Sequence, residues 1–152
     1  MSHSLSYNAV DFGGANYGLV VQENDFVNPP QPRIDRDALA MADGDAAQGA
    51  SFEALSGAVK GIVVATSFAN LKTQRANIAA ALAAGQEGAK ALAFDTHSGV
   101  QWLARVMGTS WSNETATTIE LAITFYAPDP WPVATSATSP APTTITGSPS
   151  TL

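Results

Sequence analysis

Residues 115–133 read TATTIELAITFYAPDPWPV, and the first two thirds of that stretch set the fold. Apolar and polar side chains alternate: Ile119, Leu121, Ile123 and Phe125 on one side, Glu120, Ala122, Thr124 and Tyr126 on the other. A period of two marks a strand with one buried face. The strand then runs into PDPWP, where two prolines flank an acid and a tryptophan follows. Prolines cannot donate to a ladder, so regular pairing is expected to stop there.

Upstream, 99–108 (GVQWLARVMG) puts Val100, Trp102, Ala104 and Val106 on one face, with 89–95 (AKALAFD) before it and THS as the hairpin loop. The most apolar strand candidate, 54–66, is expected to be central. Shorter candidates lie at 7–12 (YNAVDF) and 17–24 (YGLVVQEN). One segment has a helical period: Phe68, Leu71, Ile78, Ala79 and Leu82 form a stripe, with Lys72, Thr73, Gln74, Arg75 and Asn77 on the expected exposed side. Ser67 is positioned as its N-cap and Gly85 as its stop. The order predicts a mainly β (α+β), antiparallel protein with about seven strands and a flanking helix over about 68–84.

Between NPPQP (28–32) and that central strand lies an acidic ribbon, 33–54, with a tight-turn signal, ADGD, at 42–45. It is too weakly apolar to stand alone and must rest on its own domain or on a neighbour. After residue 133 the chain turns to low complexity: Ser, Thr and Pro make up 13 of the 19 residues of 134–152, without a charge. Such composition belongs with disordered segments, or with a neutral strand laid along a neighbouring subunit.

The totals narrow the functional classes. A chain of 152 residues supports one domain. Charged residues are 13% of it, about half the usual share. That fits a surface covered in the working state, or equally a neutral polar surface. The net charge of −6 falls wholly in residues 1–53, where eight acids face Arg33 and Arg36. Clustered cations for gripping nucleic acid are therefore not expected. No cysteine is present, which excludes disulfides and thiolate metal sites. No apolar run reaches membrane-spanning length and no signal peptide is recognisable, so a soluble protein made in the cytoplasm is expected.

Chemistry-bearing motifs are few. Asp43-Gly44-Asp45 opens like a calcium loop but lacks the later ligands, and reads better as a turn. His97 stands between Asp95 and Ser98 in a hairpin loop, where neighbours in sequence seldom converge as a triad. No catalytic residue, cofactor site or metal site is assigned. Trp102 falls on a core-facing pattern, whereas Trp111 and Trp131 sit near expected loops and are candidate contact anchors or sugar-stacking platforms.

The order of these elements resembles the N-terminal domain of phage distal tail proteins, themselves related to tail tube subunits. Asp11 and Gly18 fall on that family's opening element, Gly44 on its hairpin turn and Leu71 on its helix core. Leu92, Phe94 and Asp95 fall on an L-x-F-D hairpin, and Phe125, Asp129, Pro130 and Trp131 on the terminal F-x-x-x-D-P-W signature. The resemblance covers about residues 5–133. It implies a tail-tube-like β-sandwich or split barrel (1–133) with one flanking helix and an extended hairpin arm. It also implies a virion role at the tail tip or baseplate. There, a homo-oligomeric, hexameric ring would have the tail tube protein on one face and the baseplate hub on the other, with DNA passing through unbound and no membrane involved. PDPWP is then the exit from the ring domain. The second, often galectin-like, domain of longer relatives is not expected here, and the expectation is a minimal ring and adaptor role. A tail tube subunit, or a small carbohydrate-binding module using Trp111 and Trp131, is the alternative.

Overall fold

A computed structural model describes residues 3–38 and 45–135 of the chain. Its backbone is built around β9 (Thr118–Ala127), the strand with the clean alternation. Ile119, Leu121, Ile123, Phe125 and Ala127 are all buried. Each large apolar side chain removed from water here contributes about 1.5–3 kcal/mol, so this face anchors the core. The strand begins at Thr118 rather than 115 because Thr115 caps a tight turn. Its Oγ1 accepts from the Thr118 amide at 3.0 Å, and its own amide donates to the Thr118 carbonyl.

β9 is flanked by β6 (Leu55–Val64) and by β8 (Val100–Ser112), both antiparallel. The remaining strands are β1 (Leu5–Tyr7), β2 (Val10–Asp11), β3 (Leu19–Asn24), β7 (Lys90–Phe94) and β10 (Val133–Ala134). The order across the sheet is β2-β1-β7-β8-β9-β6-β3, with β10 also on β8. The 54–66 strand is thus interior, between β3 and β9, but one place from the end of the sheet rather than at its middle. β8 is the hinge of the sheet. Its first part (102–104) pairs with β7 and its second (105–112) with β9, and within that second part an unpaired Met107 breaks the register between Val106 and Gly108. Such a bulge raises local twist and lets one strand turn a corner. The two ends of the sheet then meet. Val21 of β3 donates to the His3 carbonyl at 2.8 Å, and Leu19 donates to the Phe12 carbonyl at 2.8 Å. The result is a split antiparallel barrel with one flanking helix.

Inside, Phe26 touches Phe94, Trp102 and Phe125 at centroid separations of 5.9–6.2 Å, and Tyr7 lies 5.4 Å from Phe125. The buried Tyr7 hydroxyl donates to the Ala104 carbonyl at 2.9 Å. Burial pushes the Tyr7 phenol above its ordinary pKa, against a smaller downward pull from Arg105. β6 passes close to its neighbours because of its glycines. A Cβ on Gly57 would come within 2.7 Å of the Phe26 backbone.

The helix, α1 (Phe68–Ala83), starts where Ser67 caps it, its side chain accepting from the Asn70 amide at 3.1 Å. Leu71, Ile78 and Leu82 enter the core. Three expectations about this segment are corrected. Gln74 is buried, because its Nε2 donates to the Ala15 carbonyl at 3.2 Å and pins the helix to the 13–18 loop. Phe68 is half-exposed, its ring under the Lys72 ammonium at 4.6 Å. Gly85 lies in a 3₁₀ turn (Ala84–Gln86) that continues the helix, and its missing Cβ makes room for the Tyr7 ring.

The 7–12 candidate is two strands, not one. Asn8 (φ 52°) and Ala9 (φ 64°) form a left-handed two-residue turn between β1 and β2. That conformation favours Asn and is unusual for Ala, which is why the turn was not legible. The proline break at 28–32 is followed by a separate two-stranded sheet, β4 (Pro32–Ala38) and β5 (Asp45–Phe52). This is the expected ribbon. Its Gly44 turn, with Asp43, lies outside the described residues, as does the tail beyond Thr135. Among the described residues no helix is long and apolar enough to cross a membrane.

Candidate functional site

PDPWP does not end the pairing along β8. β9 leaves that strand at Tyr126 opposite Arg105, and β10 returns to it at Val133 opposite Gln101. Seven residues of advance on one side meet four on the other, so three are looped out of the ladder. Thr135 continues the attachment by donating to the Gly99 carbonyl at 3.0 Å, two residues beyond the expected boundary at 133. The prolines explain the loop, since neither Pro130 nor Pro132 can donate. Asp129 shapes it: its Oδ1 accepts from the Trp131 amide at 3.1 Å.

The loop delivers Trp131 to the root of the arm. Phe52, the last residue of β5, meets the Trp131 ring edge-to-face with centroids 5.0 Å apart. Both side chains stay about half-exposed, at 51% and 52%. Around them lies an apolar cleft of about 260 Å³, lined chiefly by Val27, Pro29, Pro30, Leu55, Pro130 and Pro132. Among the described residues no charged side chain lines it. The arm closes at its base through the Glu53 amide, which donates to the Gln31 carbonyl at 2.9 Å.

A second apolar surface is the outward side of β8, where Leu103 and Met107 are exposed beside Val133 of β10. Arg105 stands between them and donates to the Gln86 carbonyl at 2.9 Å. Exposed large apolar side chains grouped in this way mark contact surface.

Apart from Gly44, which lies outside the described residues, the sequence-assigned positions fall into four settings. Leu71, Leu92, Phe94 and Phe125 are buried and serve packing. Asp11 holds a turn by accepting from the Gly13 amide at 2.9 Å, and Gly18 (φ +66°) takes the left-handed conformation against Val64 and Gln74. Asp95 lies 3.5 Å from His3, at the seam that closes the barrel. Among the described residues, Asp129, Pro130 and Trp131 are the assigned positions that come together with the arm. Phe52, their partner, was missed, although it is the one aromatic residue in the 33–54 ribbon.

In the cleft of about 380 Å³ beside His97 the described residues do not form a triad. Nδ1 of His97 shares a hydrogen bond with Thr96 Oγ1 at 2.9 Å and the ring packs against Trp102, while the Asp95 carboxylate turns to His3. Among the described residues no three His, Cys, Asp or Glu side chains cluster as metal ligands. Trp111 is not in a loop, as expected, but within β8, part-buried with the Arg75 guanidinium 5.1 Å from its ring centroid. It has no place in the cleft that holds Trp131.

No family model and no curated protein matches the sequence. The fold does have a counterpart among solved structures. It superposes on the crystal structure of the phage SPP1 Dit (gp 19.1) protein, described as a paradigm of the hub adsorption apparatus in Gram-positive infecting phages. The TM-score is 0.72 over 88% of this chain and 53% of that one, with 16% identity. The chain therefore carries the phage Dit fold over about half the length of that protein.

Proposed function

We propose that the chain is a virion structural protein: a distal tail subunit that forms a six-membered ring joining the tail tube to the baseplate hub, with a central channel for DNA. The observation that carries this reading is the Dit fold spanning 88% of the chain. The free arm supports it. Among the described residues β4 and β5 pair only with each other, so both outer edges of the hairpin offer backbone donors and acceptors. An edge of this kind adds to a neighbour's sheet through main-chain hydrogen bonds and tolerates bland side chains. Head-to-tail contacts that close on themselves make rings. The exposed Leu103, Met107 and Val133, and the low overall charge, suit a surface covered by neighbours. The acidic first third suits a channel through which DNA slides without sticking.

The test is the native mass of the purified protein across a concentration series. The proposal expects a discrete sixfold species, or a concentration-driven shift towards it. Long self-stacked tubes would instead assign a tail tube subunit.

A further inference from the structure

The arm carries its own two-stranded sheet, so its direction relative to the barrel must be fixed at the root. Two kinds of contact lie there. The backbone bond from Glu53 to Gln31 closes the hairpin base, while Pro29, Pro30 and Pro32 on the entering side have no N–H with which to add ladder bonds there. The Phe52–Trp131 contact is the other, and among the described side chains of β4 and β5 Phe52 is the one that lines the cleft. Both rings are too exposed to serve the core. Trp131 is held in place from both sides: by the Asp129 turn before it, and by the return of β10 to β8 after it.

We propose that Trp131 is a brace that sets the bearing of the arm, and that the brace couples the arm to the pairing of β10 with β8. A pull on the segment leaving the barrel at Val133–Thr135 then shifts the loop, and with it Phe52 and the arm. The looped-out PDPWP has a physical purpose on this reading. A strand that simply continued from β9 into β10 would have no residue to send across to the arm root. This inference stands on the geometry alone and does not require the ring.

Amide hydrogen exchange of the full chain, at matched concentration and native mass, tests it. Trp131→Ala and Phe52→Ala are each expected to speed exchange in 32–38 and 45–53 by roughly three- to tenfold, the scale of one aromatic contact. The double variant should be little faster than either single one. Exchange in β6 and β9 should stay unchanged. Phe68→Ala, which removes another half-exposed ring away from the arm, should leave the arm amides alone. The coupling is read from Val133→Pro, which breaks the β10 pairing yet keeps both rings. It should raise arm exchange by a similar factor. Unchanged arm exchange in Trp131→Ala overturns the brace. A response to Trp131→Ala but none to Val133→Pro overturns the coupling.

Discussion

Replacing Gly85 with alanine sets two effects of opposite sign against each other. Gly85 lies in the 3₁₀ turn after α1, with no positive φ, so alanine costs no backbone strain there. Propensity alone then favours alanine by up to about 1 kcal/mol. Against this, a Cβ on Gly85 would overlap the Tyr7 hydroxyl and lie only 2.6 Å from Cε1 and 2.7 Å from Cζ of that ring. Tyr7 is fully buried, packed on Phe125 and hydrogen-bonded to Ala104, so it has no room to retreat. Overpacking of this kind costs about 1–3 kcal/mol. Moving the ring also breaks the Ala104 bond, at about 0.5–1.5 kcal/mol. The contact outweighs propensity, and Gly85→Ala is expected to destabilise by about 2 kcal/mol. Urea unfolding followed by tryptophan fluorescence measures this as a lower midpoint at unchanged slope. Tyr7→Leu should absorb most of the added penalty, so the double variant should be clearly non-additive. A neutral or stabilised Gly85→Ala would refute the close approach of the turn to Tyr7, and with it the account of why glycine stands there.

Three further outcomes follow from the same contacts. Ser67→Ala removes the acceptor for the Asn70 amide and should cost about 1 kcal/mol, with the loss confined to hydrogen-exchange protection in the first turn of α1 if the rest of the helix is held by its core face. Gly18→Ala places a side chain at φ +66° against the Val64 carbonyl and the Gln74 amide, and should lower the urea midpoint more than Ser67→Ala does. Alkaline titration reports on Tyr7, whose folded pKa lies above its unfolded value of about 10. The folded state then holds its proton more tightly than the unfolded state. That contribution is complete below pH of about 10 and is lost as pH rises through the folded value. Lys60, whose pKa is raised first by its hydrogen bond to Glu23, acts with the same sign. Tyr7→Phe should therefore flatten, without abolishing, the fall in stability above pH of about 10.

The parts legible in the sequence were those where a local pattern and a buried face coincide. β9 alternates because one face meets the core and the other does not, and α1 declared itself through Ser67 and the Leu71–Ile78–Leu82 stripe. What escaped depended on partners far away in the chain. Gln74 reads as a surface residue until its amide finds the Ala15 carbonyl 59 positions away. Gly85 reads as a helix stop until Tyr7 arrives from β1. PDPWP reads as a terminator because proline's missing N–H is a local fact, whereas the return of Val133 to Gln101 is not. Trp111 looked like a loop residue because the bulge at Met107 shifts the alternation of β8 and hides its second half. At the arm root, Asp129, Pro130 and Trp131 were picked out through a family resemblance, while Phe52 had no local signal beyond being an aromatic in a bland ribbon.

The central claim is a ring built from this subunit. Class-averaged electron microscopy of the purified protein, at concentrations up to its solubility limit, tests it most directly. The account predicts closed six-fold rings with a central opening and no extended stacks. Particles that remain single subunits at every concentration, or that grow into continuous tubes, would contradict it.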